Sequence, residues 1–181
     1  MIAYHVVTDR PMTIGQEIIF DKNHHSGVFH RVQAKLHMVR QIYANPAAYK
    51  AEELEHHTAV ALRELAMEEV RQQKYPHYPS RMNCLYVSET LEEAEKWGAF
   101  FAELGRPTYS IVKLNIEGRC FTGDATKCFH GQTDYLENLR LADIYWRNES
   151  VGSTKPPVKE LLVDGKITVL EVVKEINANL K

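Results

Sequence analysis

The sequence predicts an α+β fold whose strands are mainly antiparallel, and three observations carry that expectation. Short apolar, β-prone runs stand at the beginning, middle and end of the chain, without the regular alternation of strand and helix that a parallel sheet requires. Two long helical periods are inserted between Val28 and Gln73. Near the end, Asp164-Gly165 separates two apolar runs, which reads as a hairpin closed by a type I′ turn.

Residues 2–7 form the first predicted strand and run into a turn signal, Thr8-Asp9-Arg10-Pro11. Gly15 through Phe20 is a second short strand, and Asp21 through Gly27 is a polar loop holding His24 and His25. Val28, Val32, Leu36, Val39 and Tyr43 then recur at helical spacing and stop near Asn45-Pro46. The second long helix is expected from Ala47 to Gln73, with Leu54, Ala61, Leu62, Leu65, Ala66 and Val70 on its apolar side. Two prolines in Tyr75-Pro-His-Tyr-Pro-Ser-Arg81 favour an extended connection to a central strand, Cys84–Val87.

Thr90 caps the next helix through its hydroxyl, and Glu93 is expected to reach back to the Thr90 N–H as a capping box. Leu91, Ala94, Trp97, Phe101 and Leu104 give that helix one apolar face. Pro107 to Ile116 is a strand with Val112, Leu114 and Ile116 on one side, ended by Glu117-Gly118. Arg119 to Gly131 carries no clear period. Tyr135, Leu139, Ala142 and Trp146 mark a helix of about three turns. A polar loop, Arg147 to Pro157, leads to the expected hairpin of Val158–Val163 and Lys166–Val173.

At 181 residues the chain is expected to form one domain, residues 1–181, with a sizeable core. A hydrophobic content of 44% beside 25% charged residues is that of a folded protein, not a disordered one. With 22 Lys and Arg against 24 Asp and Glu, the net charge of -2 supplies no global attraction for nucleic acid or an anionic membrane. No apolar run approaches the roughly 20 residues of a membrane span, and the start of the chain does not read as a signal peptide. The three cysteines, Cys84, Cys120 and Cys128, have no CxxC spacing and suggest no disulfide framework, so the cytoplasm is the expected compartment.

Glu160 is the sharpest single candidate for chemistry. Val158, Glu160 and Leu162 share one strand face, so this carboxylate has apolar neighbours on both sides. It is either an edge glutamate facing water or a cleft residue able to stabilise positive charge or accept a proton. His5, beside Tyr4 in the first strand, can bond a ligand's ribose hydroxyl or satisfy a backbone carbonyl. Tyr86 and Trp97 bracket the strand-to-helix unit and can wall a slot for a flat ring or simply pack a core.

The nine histidines raise the question of a metal, but His24-His25 and Glu53-x-x-His56 match neither HExxH nor a cysteine–histidine spacing, and no metal is expected. Arg63, Glu64, Glu68, Glu69 and Arg71 make a charged helix face whose ordinary reading is a solvated one. Arg81 is placed either to clamp a phosphate or to pair internally with one of those glutamates, and the internal pair is the preferred reading. GxGxxG, Walker A and GxSxG patterns are all absent.

Taken together, Glu68-Glu-Val-Arg71, Tyr75-Pro-His-Tyr-Pro-Ser-Arg81, Leu85-Tyr-Val-Ser88, Glu93-Ala-Glu-Lys-Trp97 and Glu160-Leu-Leu-Val-Asp-Gly165 resemble an uncharacterised bacterial family with an ADP-ribosyltransferase-like fold. The resemblance spans essentially the whole chain. It implies curved, mainly antiparallel split sheets with an inserted pair of long helices, around a cleft that binds NAD without a Rossmann fingerprint. In the His-Tyr-Glu branch of those enzymes, a first-strand histidine holds the adenosine ribose, two tyrosines enclose nicotinamide and a late-strand glutamate assists its departure. His5, Tyr86 and Glu160 resemble three of these residues, and Trp97 stands where the second tyrosine would, with ten residues between it and Tyr86. The other branch, with its Ser-Thr-Ser strand and Glu-x-Glu pair, is matched poorly by Ser88-Glu89-Thr90 and by Leu161-Leu162 after Glu160.

The resemblance therefore implies an NAD-dependent transferase that cleaves the nicotinamide N-glycosidic bond, with NAD as substrate and an unknown macromolecule as acceptor. Its alternative is a non-enzymatic nucleotide-binding or protein-interaction module on the same fold, favoured by the tryptophan at position 97 and the missing Glu-x-Glu pair. A third reading, an RNA-modifying transferase, has the even charge balance against it.

Overall fold

Local sequence explains most element boundaries in the computed structural model, which describes residues 1–8, 10–21, 23–148 and 156–176. Asp9 of the expected turn, and Glu149–Lys155 of the expected polar loop, lie outside the described residues. The strands are β1 (Ile2–Val7), β2 (Glu17–Ile19), β3 (Leu85–Val87), β4 (Ser110–Glu117), β5 (Cys120–Asp124), β6 (Lys159–Val163) and β7 (Lys166–Glu175). The α-helices are α1 (Gly27–Ala44), α2 (His56–Lys74), α3 (Leu91–Glu103) and α4 (Tyr135–Arg147). The class is α+β, and each strand pair whose register is resolved is antiparallel.

The chain divides into two compact units. The first comprises residues 1–20, 85–121 and 160–181. It carries a four-stranded sheet of order β1-β4-β7-β2, and a second sheet has order β3-β6-β5. Ala3, Val7, Val112, Leu114, Ile116, Ile167 and Val169 from the first sheet meet Val87, Leu161 and Val163 from the second in one buried core. The alternation of side chains along each strand makes this possible, since every other residue faces the partner sheet. On the opposite face of the first sheet, α3 buries Ala94 and rests Leu91, Trp97 and Phe101 against Val6 and Ile111.

Within this unit the expected terminal hairpin does not form. β6 belongs to the second sheet and β7 to the first, so Asp164-Gly165 is a corner between sheets and not a hairpin turn. Only Gly165 has a positive φ, +91°, whereas a type I′ turn needs two such residues. The turn between β4 and β5 makes the same crossing beside it. Arg119 locks the two corners together, its Nη2 donating to Asp164 Oδ2 at 2.6 Å and its carbonyl accepting from Asp164 N–H at 3.1 Å. A β-carbon on Gly118 would lie 1.9 Å from the Asp164 carbonyl oxygen, so the close backbone approach requires glycine there.

The second unit comprises residues 21–84 and 122–159. Its core joins Val32, Val39 and Ile42 of α1 to Ala61 and Leu62 of α2 and to Met82. The second long helix begins at His56, not Ala47, with single 3₁₀ turns at Pro46–Ala48 and Ala51–Glu53 before it. Extended backbone at Tyr49, Lys50 and Leu54 interrupts the run, and the Glu55 carboxylate accepts from the His57 and Thr58 N–H groups at 2.9 and 3.0 Å to cap the helix. Asp134 caps α4 in the same way through Leu136 and Glu137.

The α3 cap departs from expectation by one residue. Thr90 Oγ1 accepts from the Glu93 N–H at 3.2 Å, but the Glu93 carboxylate accepts from the Glu89 N–H at 3.1 Å rather than from Thr90.

Candidate functional site

β1 and β3 meet at one point. Tyr4 and Ser88 exchange backbone hydrogen bonds of 2.8 Å in each direction, joining the edge of the first sheet to the end of β3. One residue further along β1, His5 Nδ1 lies 2.7 Å from the Tyr86 carbonyl oxygen. A carbonyl can only accept, so Nδ1 carries a proton and donates it to this bond. The histidine is thus oriented by the backbone of the residue that the sequence pairs with it.

Glu160 joins this arrangement through β6. Tyr86 is directly opposite Leu162 in the antiparallel β3–β6 pair, which makes Glu160 a diagonal neighbour of Tyr86 on the same sheet face. Such diagonal positions stand about 7–8 Å apart. The opposite face, with Val87, Leu161 and Val163, goes to the core. His5, Tyr86 and Glu160 are each half-buried, and Leu162, opposite Tyr86 on the same face as Glu160, is fully buried.

Trp97 is placed differently. Tyr4 and Val6 alternate with Ala3, His5 and Val7 along β1, and Trp97 packs in the cluster of Tyr4, Val6 and Ile111. It therefore lies against the face of β1 opposite to His5. Its ring joins those of Phe101 at 5.7 Å and Phe100 at 5.8 Å along α3. The structure bonds the His5 ring to the Tyr86 backbone, places Glu160 diagonal to Tyr86 on β6, and sets Trp97 against the other face of β1.

A second polar constellation lies within the other unit, and the sequence showed only part of it. Glu64 is 2% exposed, contrary to the solvated face expected for this part of α2. Arg81 Nε donates to Glu64 Oε2 at 2.9 Å, Arg63 Nη2 donates to Glu64 Oε1 at 2.9 Å, and Arg81 Nη1 donates to the buried Tyr145 hydroxyl at 2.6 Å. Burial pushes the Glu64 carboxyl up, but the two guanidinium groups outweigh it and hold it below the usual carboxylate range.

One turn on, Glu68 accepts from Arg71 at 2.8 and 3.0 Å and from Ser80 Oγ at 2.7 Å. Burial raises its carboxyl as well, and these hydrogen bonds bring it below the ordinary value. Arg71 also donates to the Tyr78 carbonyl at 3.0 Å, so the proline-containing segment is pinned to α2. The internal pairing of Arg81 was legible in the sequence. The burial of Glu64 was not, because its neighbours Arg63 and Leu65 hide a position facing inward one turn after Ala61.

Among the described residues no group of three His, Cys, Asp or Glu side chains is arranged to hold a metal ion, and no helix is long and apolar enough to cross a membrane. No curated protein matches the chain. Residues 3–175 match the family described as "Protein of unknown function (DUF2441)", so nearly the whole fold and all four sequence-predicted site residues fall within the match, and the chain belongs to that family.

Proposed function

We propose that the chain is an ADP-ribosyltransferase-like domain that binds NAD and cleaves its nicotinamide N-glycosidic bond, passing ADP-ribose to a macromolecular acceptor. The observation that supports this reading is the hydrogen bond from His5 to the Tyr86 backbone carbonyl, with Glu160 diagonal to Tyr86 in the β3–β6 register. The residue types fit a dinucleotide. An imidazole bonds a ribose hydroxyl, a phenol ring stacks on nicotinamide and a carboxylate takes a hydroxyl or positive charge, and these are the groups that His5, Tyr86 and Glu160 carry.

In this reading the bond between C1′ of the ribose and the nicotinamide nitrogen breaks, and its electron pair leaves with nicotinamide. The ribose passes through an oxocarbenium-like state, which the Glu160 carboxylate stabilises before the acceptor nucleophile attacks C1′. His5 fixes the adenosine half and Tyr86 holds the nicotinamide ring. Trp97 holds α3 against β1.

The position of Trp97 supports a second reading. With its ring packed against Tyr4 and Val6, the slot has one aromatic wall at Tyr86, which suits a nucleotide-binding module without catalysis. Calorimetric titration with NAD, coupled to a nicotinamide-release assay, separates the two. Binding with release upholds the transferase, binding without release under any acceptor condition upholds the module, and absence of binding overturns both.

A further inference from the structure

One flank of α3 is left uncovered, and its residues follow a heptad spacing. Glu93, Trp97, Phe100 and Leu104 stand at i, i+4, i+7 and i+11, which sets them in a single row along the helix and onto its C-cap. Phe100 is 46% exposed and Leu104 61%. The half-buried Trp97 ring meets Phe100 edge-on at 5.8 Å. Single apolar side chains are common on surfaces, whereas a continuous aromatic row marks a place where another chain docks.

The rest of the unit packs against the other side of this helix. Ala94 meets Val6 and Ile111 of the sheet, and a β-carbon on Gly98 would lie 3.5 Å from Ile176. Lys174 of β7 pairs with Glu95 at 2.6 Å. Glu95 and Gly98 lie about half a turn around the helix from Phe100, so the end of β7 leaves the row open.

The charges beside the row select its occupant. Lys96 and Glu103 are seven residues apart and border the row along the same edge, with opposite charges on either side of Phe100. Glu93 stands at the N-terminal end of the row. At the other end Arg106 stacks over Phe101 at 4.6 Å and donates to Thr8 Oγ1 at 3.0 Å. Both charge pairs, Lys96 with Glu103 and Glu93 with Arg106, are centred on the same point beside Phe100. A two-fold axis through that point sets Lys96 of one copy opposite Glu103 of the other, and Glu93 towards Arg106, each pair twice over. Lys96 also pairs with Glu92 in its own helix at 2.7 Å, and an ammonium has further hydrogens for a second carboxylate. Parallel pairing would instead set Lys96 beside Lys96 and Glu103 beside Glu103, with the two helix dipoles pointing the same way.

We infer that this flank is the interface between two copies of the chain, packed as antiparallel α3 helices about a two-fold axis beside Phe100. Trp97 of each copy packs against Phe100 of the other, and the Lys96–Glu103 pairs form the rim. Two helices of this length make a small interface, so the dimer is reversible and of micromolar strength. Trp97 lies against the face of β1 opposite to His5, and the dimer is independent of the NAD reading.

The test is sedimentation equilibrium of the full chain at concentrations from about 1 µM to 1 mM, a range that brackets such a dimer. The wild type is expected to pass from monomer to dimer. Phe100→Glu and Leu104→Asp should each weaken association by about tenfold or more. Should the first misfold by circular dichroism, Leu104→Asp, at the more exposed position, gives the same reading. Lys96→Glu and Glu103→Lys should each weaken the dimer by about tenfold, because each sets like charges opposite one another twice. The double variant carrying both changes should recover wild-type association, which a role confined to a single copy would not produce. A chain that stays monomeric throughout leaves the row to a different protein and overturns the inference. So does association that Leu104→Asp does not weaken, or a double variant no tighter than the single ones.

Discussion

His5 Nδ1 donates a 2.7 Å hydrogen bond to the Tyr86 carbonyl across a sequence separation of 81 residues. This bond ties the first strand to the central one and orients the only histidine in β1. If the imidazole holds a ribose hydroxyl, its loss acts on binding. His5→Ala is expected to weaken NAD affinity about tenfold or more, with a smaller effect on the rate at saturating NAD, as read by calorimetry beside a release assay. An unchanged dissociation constant would remove His5 from the site.

Glu160 is expected to act in the opposite sense. A preorganised carboxylate that stabilises an oxocarbenium-like state contributes to the rate more than to ground-state binding. Glu160→Gln keeps the shape and removes the charge. Nicotinamide release should fall by on the order of 10² to 10³ while NAD affinity changes little. Tyr86→Ala should mainly weaken binding. Glu160→Gln protein that releases nicotinamide at the normal rate would end the catalytic assignment.

The Glu64–Arg81 pair gives a prediction about stability alone. Removing Arg81 leaves the buried Glu64 carboxylate with Arg63 as the remaining one of its two guanidinium partners, at a cost of up to about 3–5 kcal/mol, the figure for a buried pair broken outright. Arg81→Met is therefore expected to shift the urea unfolding midpoint down strongly. A double change, Arg81→Met with Glu64→Leu, should recover part of that loss because the fully buried carboxylate goes together with Arg81, while Arg63 is partly exposed and keeps its bond to the Phe129 carbonyl. A double variant as unstable as the sum of the two single ones would show that the pair is not coupled.

The same network sets a pH dependence. The Glu64 and Glu68 carboxyls lie below their ordinary values in the folded chain, and an unfolded glutamate titrates near about 4.3. Their contribution to stability is fully present above the unfolded value and is lost as pH falls through the folded one. Unfolding midpoints should be flat near neutrality on account of these two groups and decline in the acid range. Glu68→Gln should lower stability at neutral pH and make the acid decline shallower. An acid limb unchanged by that substitution would contradict the assignment.

The paired corners supply a steric prediction. Gly118→Ala would place a β-carbon 1.9 Å from the Asp164 carbonyl, and backbone on both sides leaves little room to yield. A loss of about 1–3 kcal/mol is expected, as for overpacking in a core, measured by thermal unfolding. Gly15→Ala is not a neutral control, because Gly15 itself has a φ of +83°. Ala102→Ser on the exposed side of α3 serves instead.

Elements whose signal lies within a few consecutive residues were determined by the sequence itself. The period of Val28, Val32 and Val39 specifies α1, and the Thr90 hydroxyl starts α3, because helix periodicity and capping depend on residues three or four apart. The α+β class and the internal pairing of Arg81 also follow from sequence, as does the candidacy of His5, Tyr86 and Glu160.

Tertiary structure decided what depends on distant partners. Asp164-Gly165 specifies a change of direction, but whether the next strand pairs with the last or enters another sheet depends on β3 and β4, far away in the chain. Glu64 reads as a surface charge until Arg81 and Tyr145 close over it. Trp97 has the right spacing from Tyr86, yet the alternation of β1 side chains puts its packing partners on the face away from His5. Spacing is a one-dimensional property, whereas sheet membership and the face a residue meets are fixed only when strands from distant parts of the chain pair.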